Sequence, residues 1–113
     1  MANSSEKRFA IDLVEQNGAA IALLGDNIFY FAELGMQEFE TSGLMIDILE
    51  REGFEVERNL SGMPTGFMAT YGSGKPVVAF HTEFDATPAC SQMSGVPFEF
   101  VSGREAQVAP SAV

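Results

Sequence analysis

Along the first third of the chain the apolar residues Phe9, Leu13, Ile21, Leu24, Ile28 and Phe31 recur near helical spacing. The spacing predicts helix from Ser5 to about Met36, as one long element or as two divided at Gly18 and Gly25. A second helix is expected over about 40–52: Leu44 and Ile48, and Met45 and Leu49, fall four apart, Thr41 or Ser42 would cap the start, and Gly53 stands just past the end. Beyond Gly53 the period changes to two. Phe54 and Val56 alternate with Glu55 and Glu57, as a half-buried strand requires. After a loop at Gly62-Met63-Pro64-Thr65-Gly66, the residues Phe67, Ala69 and Tyr71 begin a second alternating run that stops at Gly72-Ser73-Gly74-Lys75. The run Val77-Val78-Ala79-Phe80 is apolar without interruption. It predicts a third strand, covered on both faces, paired antiparallel with its predecessor through the glycine turn and more buried than the other two. From Pro88 to Val113 no period is sustained, and the segment reads as loop.

The predicted fold class is therefore α/β: helix over about 1–36, helix over 40–52, three strands including a hairpin over 54–82, and a site loop and tail over 83–113. An all-loop tail of that length on a compact domain fits a segment whose remaining fold lies elsewhere, so the chain is expected to be one portion of a larger fold.

Charge narrows the partners. Sixteen acids against six bases leave a net charge of −10, which repels nucleic acid and anionic membrane surfaces. The longest apolar run near the amino terminus, Ala19 to Leu24, is far shorter than the roughly 20 residues that cross a membrane. Neither nucleic acid nor membrane is an expected partner. A single cysteine, Cys90, cannot close an internal disulfide and suits a reducing compartment, so the expected location is cytoplasmic.

The densest chemistry lies in His81-Thr82-Glu83-Phe84-Asp85, at the carboxyl end of the predicted third strand, where open α/β sheets place their sites. In an extended segment His81, Glu83 and Asp85 point the same way, so an imidazole and two carboxylates could converge. Imidazole nitrogen and carboxylate oxygen both suit zinc, and a bound metal lowers the pKa of its water to about 7, which implies hydrolysis. The structural reading is equally available. A histidine near a strand end is commonly a hydrogen-bonding residue, and Glu83 and Asp85 suit a turn leading into Pro88. A zinc site needs three or four ligands, and this chain has one histidine and one cysteine. Cys90 lacks a second histidine to activate it and is read as an inert thiol; Gly72-Ser73-Gly74-Lys75 lacks the spacing of a phosphate loop and is read as a hairpin turn.

Several segments in order carry a resemblance: Phe31-Ala32-Glu33-Leu34-Gly35, Glu38-Phe39-Glu40-Thr41-Ser42, Gly53-Phe54-Glu55-Val56-Glu57-Arg58, Gly62-Met63-Pro64-Thr65-Gly66-Phe67, Tyr71-Gly72-Ser73-Gly74-Lys75-Pro76-Val77-Val78 and Glu83-Phe84-Asp85-Ala86-Thr87-Pro88-Ala89-Cys90-Ser91-Gln92. Over about Asp26 to Gln92 the chain resembles the amino-terminal region of the aminoacylase and carboxypeptidase metallopeptidases, with the first two segments similar to the family's first helices. The resemblance implies an α/β/α zinc-peptidase domain and a hydrolase of N-acyl or aminobenzoyl amino-acid or dipeptide amides. In the peptidase branch a histidine two positions before an acid binds metal; His81 and Glu83 match that pattern, with glutamate where aspartate is usual. In the amidohydrolase branch two acids two apart precede Ala-Leu-Pro. Glu83, Asp85 and Ala86-Thr87-Pro88 resemble that, and His81 departs from it. The implied roles are metal binding by His81 and catalysis by Glu83 and Asp85, with zinc, or else manganese, as cofactor and a small amide or peptide as substrate.

By the same resemblance, the family's further metal motif, its general-base glutamate and the lid that makes it a homo-oligomer lie downstream of Val113. This chain alone is accordingly expected to be inactive. The competing expectation is a non-catalytic module of the same origin that binds a partner through uncovered apolar surface, and a third is a metal-binding protein sharing His81, Glu83 and Asp85 across a dimer.

Overall fold

The computed structural model describes residues 4–90. It contains three helices, α1 (Ser5–Gln16), α2 (Gly18–Phe31) and α3 (Phe39–Arg51), followed by strands β1 (Glu55–Arg58) and β2 (Phe67–Thr70), with a 3₁₀ turn, Leu60–Gly62, between the strands. The architecture is mixed α and β.

The long helical period resolves into two helices, and the break falls at Asn17, next to the first of the two expected glycines. Asn17 closes α1, its side-chain amide donating to the Leu13 carbonyl at 2.8 Å. At the start of α1, Ser4 accepts the Lys7 N–H. Helix α2 stops at Phe31, short of the predicted Met36, because Ala32 turns left-handed (φ 48°) and the next six residues form a connector. Neither α1 nor α2 buries a residue.

Helix α3 matches its expected span closely, and its end is made as the sequence implies. Gly53 adopts φ 88°, its N–H bonds the Glu50 carbonyl, and Phe54 N–H reaches back to Leu49, which satisfies carbonyls the helix leaves open. Its start differs from expectation. Thr41 and Ser42 lie inside the helix and are buried, and the capping acceptor comes from upstream, as described below. Beside them Ile46 is the buried apolar side chain among the described residues. Helix α3 packs on both strands and on α2.

Strands β1 and β2 pair antiparallel, with Glu55 opposite Thr70 and Arg58 opposite Phe67. Val56, Phe67 and Ala69 are half-buried while Glu55, Glu57 and Met68 are exposed, the alternation the sequence predicts. Tyr71 falls beyond the strand end and is exposed, its ring 5.2 Å from that of Phe54.

The predicted third strand is corrected. Residues 77–80 form no strand, and Val77, Val78 and Phe80 are 82%, 72% and 91% exposed, so the run expected to be most buried is among the most open. A strand covered on both faces needs sheet neighbours and packing layers. Among the described residues the sheet has two strands, and nothing lies over this run. Gly72 and Gly74, with φ 78° and 94°, bend the chain, but the hairpin turn expected there is not formed. The part of the loop-and-tail expectation that falls on 91–113 lies outside the described residues.

Candidate functional site

The connector between α2 and α3 organises the region around the predicted site. Glu33 is 2% exposed. Its two carboxylate oxygens accept the main-chain N–H groups of Glu40 and Thr41, each at 2.8 Å, which are among the open donors of the first turn of α3. An anion here also meets the positive end of the helix dipole, so a buried carboxylate can remain well solvated by the protein. No side chain caps α3 from its own N-cap position, Glu38.

Glu38 points elsewhere. It is 8% exposed and accepts a hydrogen bond of 2.5 Å from the Thr65 hydroxyl, in the loop of the β1–β2 hairpin. One carboxylate thus ties the connector to α3 and the other ties it to the hairpin. Two polar atoms in this buried region, Thr41 Oγ1 and Gln37 Oε1, have no hydrogen-bond partner.

The carboxyl half of the predicted site segment docks on this frame. Phe84 stacks on Phe67 of β2, with ring centroids 6.2 Å apart and planes at 22°. Ala86 donates its N–H to the Glu33 carbonyl at 2.7 Å. Between them, Asp85 Oδ2 lies against the open side of Gly35, 3.8 Å from where a β-carbon would stand, with Glu38 Oε1 4.0 Å from the same point.

The amino half is free. His81 Nε2 lies 3.3 Å from Glu83 Oε1, with the two side chains 85% and 80% exposed. The structure therefore brings His81 and Glu83 together and places Asp85 apart from them, beside Gly35 and Glu38. Among the described residues no three of His, Cys, Asp and Glu gather closely enough to hold a metal ion. The His81–Glu83 pair has the donor chemistry of half a zinc site, and residues 4–90 do not complete one. Cys90 is exposed, and its main-chain N–H bonds the Thr87 carbonyl. A groove of about 290 Å³ between α3 and the hairpin loop includes Phe39, Ile46, Arg58 and Thr65 and none of the predicted site residues.

Glu33, Glu38 and Thr65 are the positioning residues that the periodicity did not expose. Their signal was an acid, Glu33, placed six residues ahead of a helix start whose own cap position makes no side-chain capping bond.

A curated relative bears on what this arrangement serves. Over 88 residues the chain is 35% identical to a p-aminobenzoyl-glutamate hydrolase subunit of Escherichia coli (strain K12). The chain is similar to part of an amide hydrolase. The match takes in 78% of this chain and 18% of the relative, so the chain spans under a fifth of that protein's length. The similarity points to an amidohydrolase-related family. No protein-family model and no solved structure matches the chain. No helix among the described residues is long and apolar enough to cross a membrane.

Proposed function

We propose that this chain is the amino-terminal portion of a metal-dependent amide hydrolase acting on N-acyl or aminobenzoyl amino acids or dipeptides, and that it is inactive alone. The observation that carries the reading is the 35% identity to a hydrolase subunit over most of the chain. The docked segment Phe84–Ala86 supports it: a side chain that does chemistry must be held in place, and Asp85 stands between two anchors, the Phe67 ring and the Glu33 carbonyl.

In this reading the substrate carbonyl is attacked by water, the C–N bond breaks, and the departing amine takes a proton. Asp85 and Glu83 are the carboxylates available to accept and return that proton. His81 would join metal donors lying outside residues 4–90, with zinc the expected ion and manganese the alternative; a cytoplasmic setting suits such chemistry.

The test is a chimera. Residues 4–90 replace the aligned stretch of the Escherichia coli hydrolase, and hydrolysis of p-aminobenzoyl-glutamate is measured. Retained turnover that falls by about 10²-fold or more with Asp85→Asn supports the assignment. A folded, assembled chimera with full activity after Asp85→Asn and Glu83→Gln removes the proposed roles, and a folded one with none removes the hydrolase reading. The non-catalytic module is favoured by one observation, the exposure of Val77, Val78 and Phe80.

A further inference from the structure

Asp85 is held from both sides, and its two anchors belong to different parts of the fold. Phe84 stacks on Phe67 of β2, and Ala86 bonds the Glu33 carbonyl, in the connector between α2 and α3. The place of Asp85 therefore depends on how the connector and the hairpin are set against each other. A hydrogen bond joins those two parts. The Thr65 hydroxyl, two residues before Phe67, donates to Glu38 Oε2, five residues after Glu33.

Both partners of that bond are themselves fixed. Thr65 lies in a loop braced from within: the Leu60 N–H bonds the Gly66 carbonyl at 3.0 Å, and the Met63 N–H bonds the Leu60 carbonyl at 3.1 Å. Gly66 is packed so closely that a β-carbon there would stand 3.1 Å from Met63 Cβ. Glu38 is the N-cap residue of α3, and its carbonyl accepts the Ser42 N–H at 2.9 Å. Thr65 and Glu38 are 6% and 8% exposed, so the bond is buried by residues 4–90 themselves and does not rely on surface left open there. The other oxygen of Glu38 faces the Gly35 notch. Glu38 Oε1 and Asp85 Oδ2 lie 4.0 and 3.8 Å from the point where a Gly35 β-carbon would stand. Asp85 is exposed, as a residue that meets substrate must be.

We infer that Thr65 is a positioning residue for Asp85, acting through Glu38. The catalytic part of the inference rests on the hydrolase reading; the coupling rests on the buried contacts alone. Thr65→Val keeps the shape of the side chain and removes the hydroxyl, which leaves the Glu38 carboxylate buried without that donor. The tie between connector and hairpin is then lost, and the two anchors of Asp85 can part. A reacting group displaced by about 1 Å loses on the order of 10²-fold in rate.

Two measurements test it. In the 113-residue chain, hydrogen exchange is followed at Ala86 and at Glu52, whose N–H bonds the Ile48 carbonyl at the far end of α3. Thr65→Val should quicken exchange at Ala86 by about ten-fold while Glu52 keeps its rate, and Thr65→Ser, which retains the hydroxyl, should return Ala86 close to its original rate. Glu38→Gln keeps an acceptor for Thr65 and weakens the bond, so it should quicken Ala86 by a smaller factor; it reads the coupling if the valine variant does not fold. In the chimera with the Escherichia coli hydrolase, Thr65→Val should lower kcat by roughly ten-fold or more with KM little changed, and Thr65→Ser should recover it. Ala86 exchanging at its original rate in the folded variants overturns the inference. So does equal quickening at Ala86 and Glu52, which would make Thr65 a structural residue only. A chimera whose turnover depends on Asp85 and is indifferent to Thr65→Val overturns it while the hydrolase reading stands, whereas an inactive chimera beside the expected Ala86 response upholds the coupling and removes the hydrolase reading.

Discussion

Glu33 and Ala86 are joined by a 2.7 Å hydrogen bond from the Ala86 N–H to the Glu33 carbonyl, and the same glutamate's carboxylate closes the first turn of α3. One buried residue thus couples the start of a helix to the segment that carries Asp85. Glu33→Ala removes both charge-assisted bonds and leaves two helix donors unpaired, so it should destabilise the chain by about 2–3 kcal/mol, and Glu33→Gln by less. Chemical denaturation reads the stability. Hydrogen exchange at Ala86 should quicken in the alanine variant, and an unchanged Ala86 amide would show that the two ends of the coupling are independent.

Thr41 tests the opposite case. It is fully buried and its hydroxyl has no partner, while its N–H is held by Glu33. Thr41→Val keeps the shape and the N–H and removes an unpaired polar group, so it should leave stability unchanged or raise it by about 1 kcal/mol. A loss greater than about 1 kcal/mol in thermal denaturation would mean that the hydroxyl has a partner in solution.

Helix α3 and the strands β1 and β2 were legible because their signals are local: a four-residue apolar spacing closed by Gly53, and a period of two in Phe54–Glu57 and Phe67–Ala69; that β1 and β2 pair with each other, rather than β2 with residues 77–80, was not. The cap of α3 was not, since the acceptor is seven and eight residues away, and side-chain capping was sought only among residues next to the helix. Val77–Phe80 misled for a related reason. A continuous apolar run reports that a segment wants cover, and cover is a property of neighbours, which the described residues do not supply. In the site segment, periodicity placed His81 beside Glu83 as observed. It could not show that Phe84 and Ala86 would be drawn to β2 and Glu33, which turns Asp85 toward Gly35.

Helix α1 carries a pH dependence of known sign. The Glu6 carboxyl is held below its ordinary value, first by a main-chain hydrogen bond and then by the Ser4 and Ser5 side chains. A depressed folded-state value means that the contribution to the first turn is present above the unfolded glutamate pKa and is lost as pH falls through the folded one. The amide chemical shifts of the first turn should therefore move toward coil values on acidification, and Glu6→Gln should flatten that response. An identical titration in the variant would assign the change to another group.

Metal titration separates the two halves of the candidate site. His81 and Glu83 present one nitrogen and one oxygen within 3.3 Å of each other, both exposed, and Asp85 is anchored away from them. Complete structural zinc sites gain about 10–16 kcal/mol, and two exposed donors with no third should hold zinc at micromolar affinity or weaker. Calorimetry of the purified chain with zinc should give a small, weak signal that His81→Ala removes and Asp85→Asn leaves in place, because Asp85 does not reach the pair. His81→Ala should leave the denaturation midpoint unchanged, since exposed ion pairs contribute little. Nanomolar binding that needs all three residues would require the segment to release Phe84 from Phe67 and Ala86 from Glu33, and would make the docked arrangement a resting state rather than the metal-binding one.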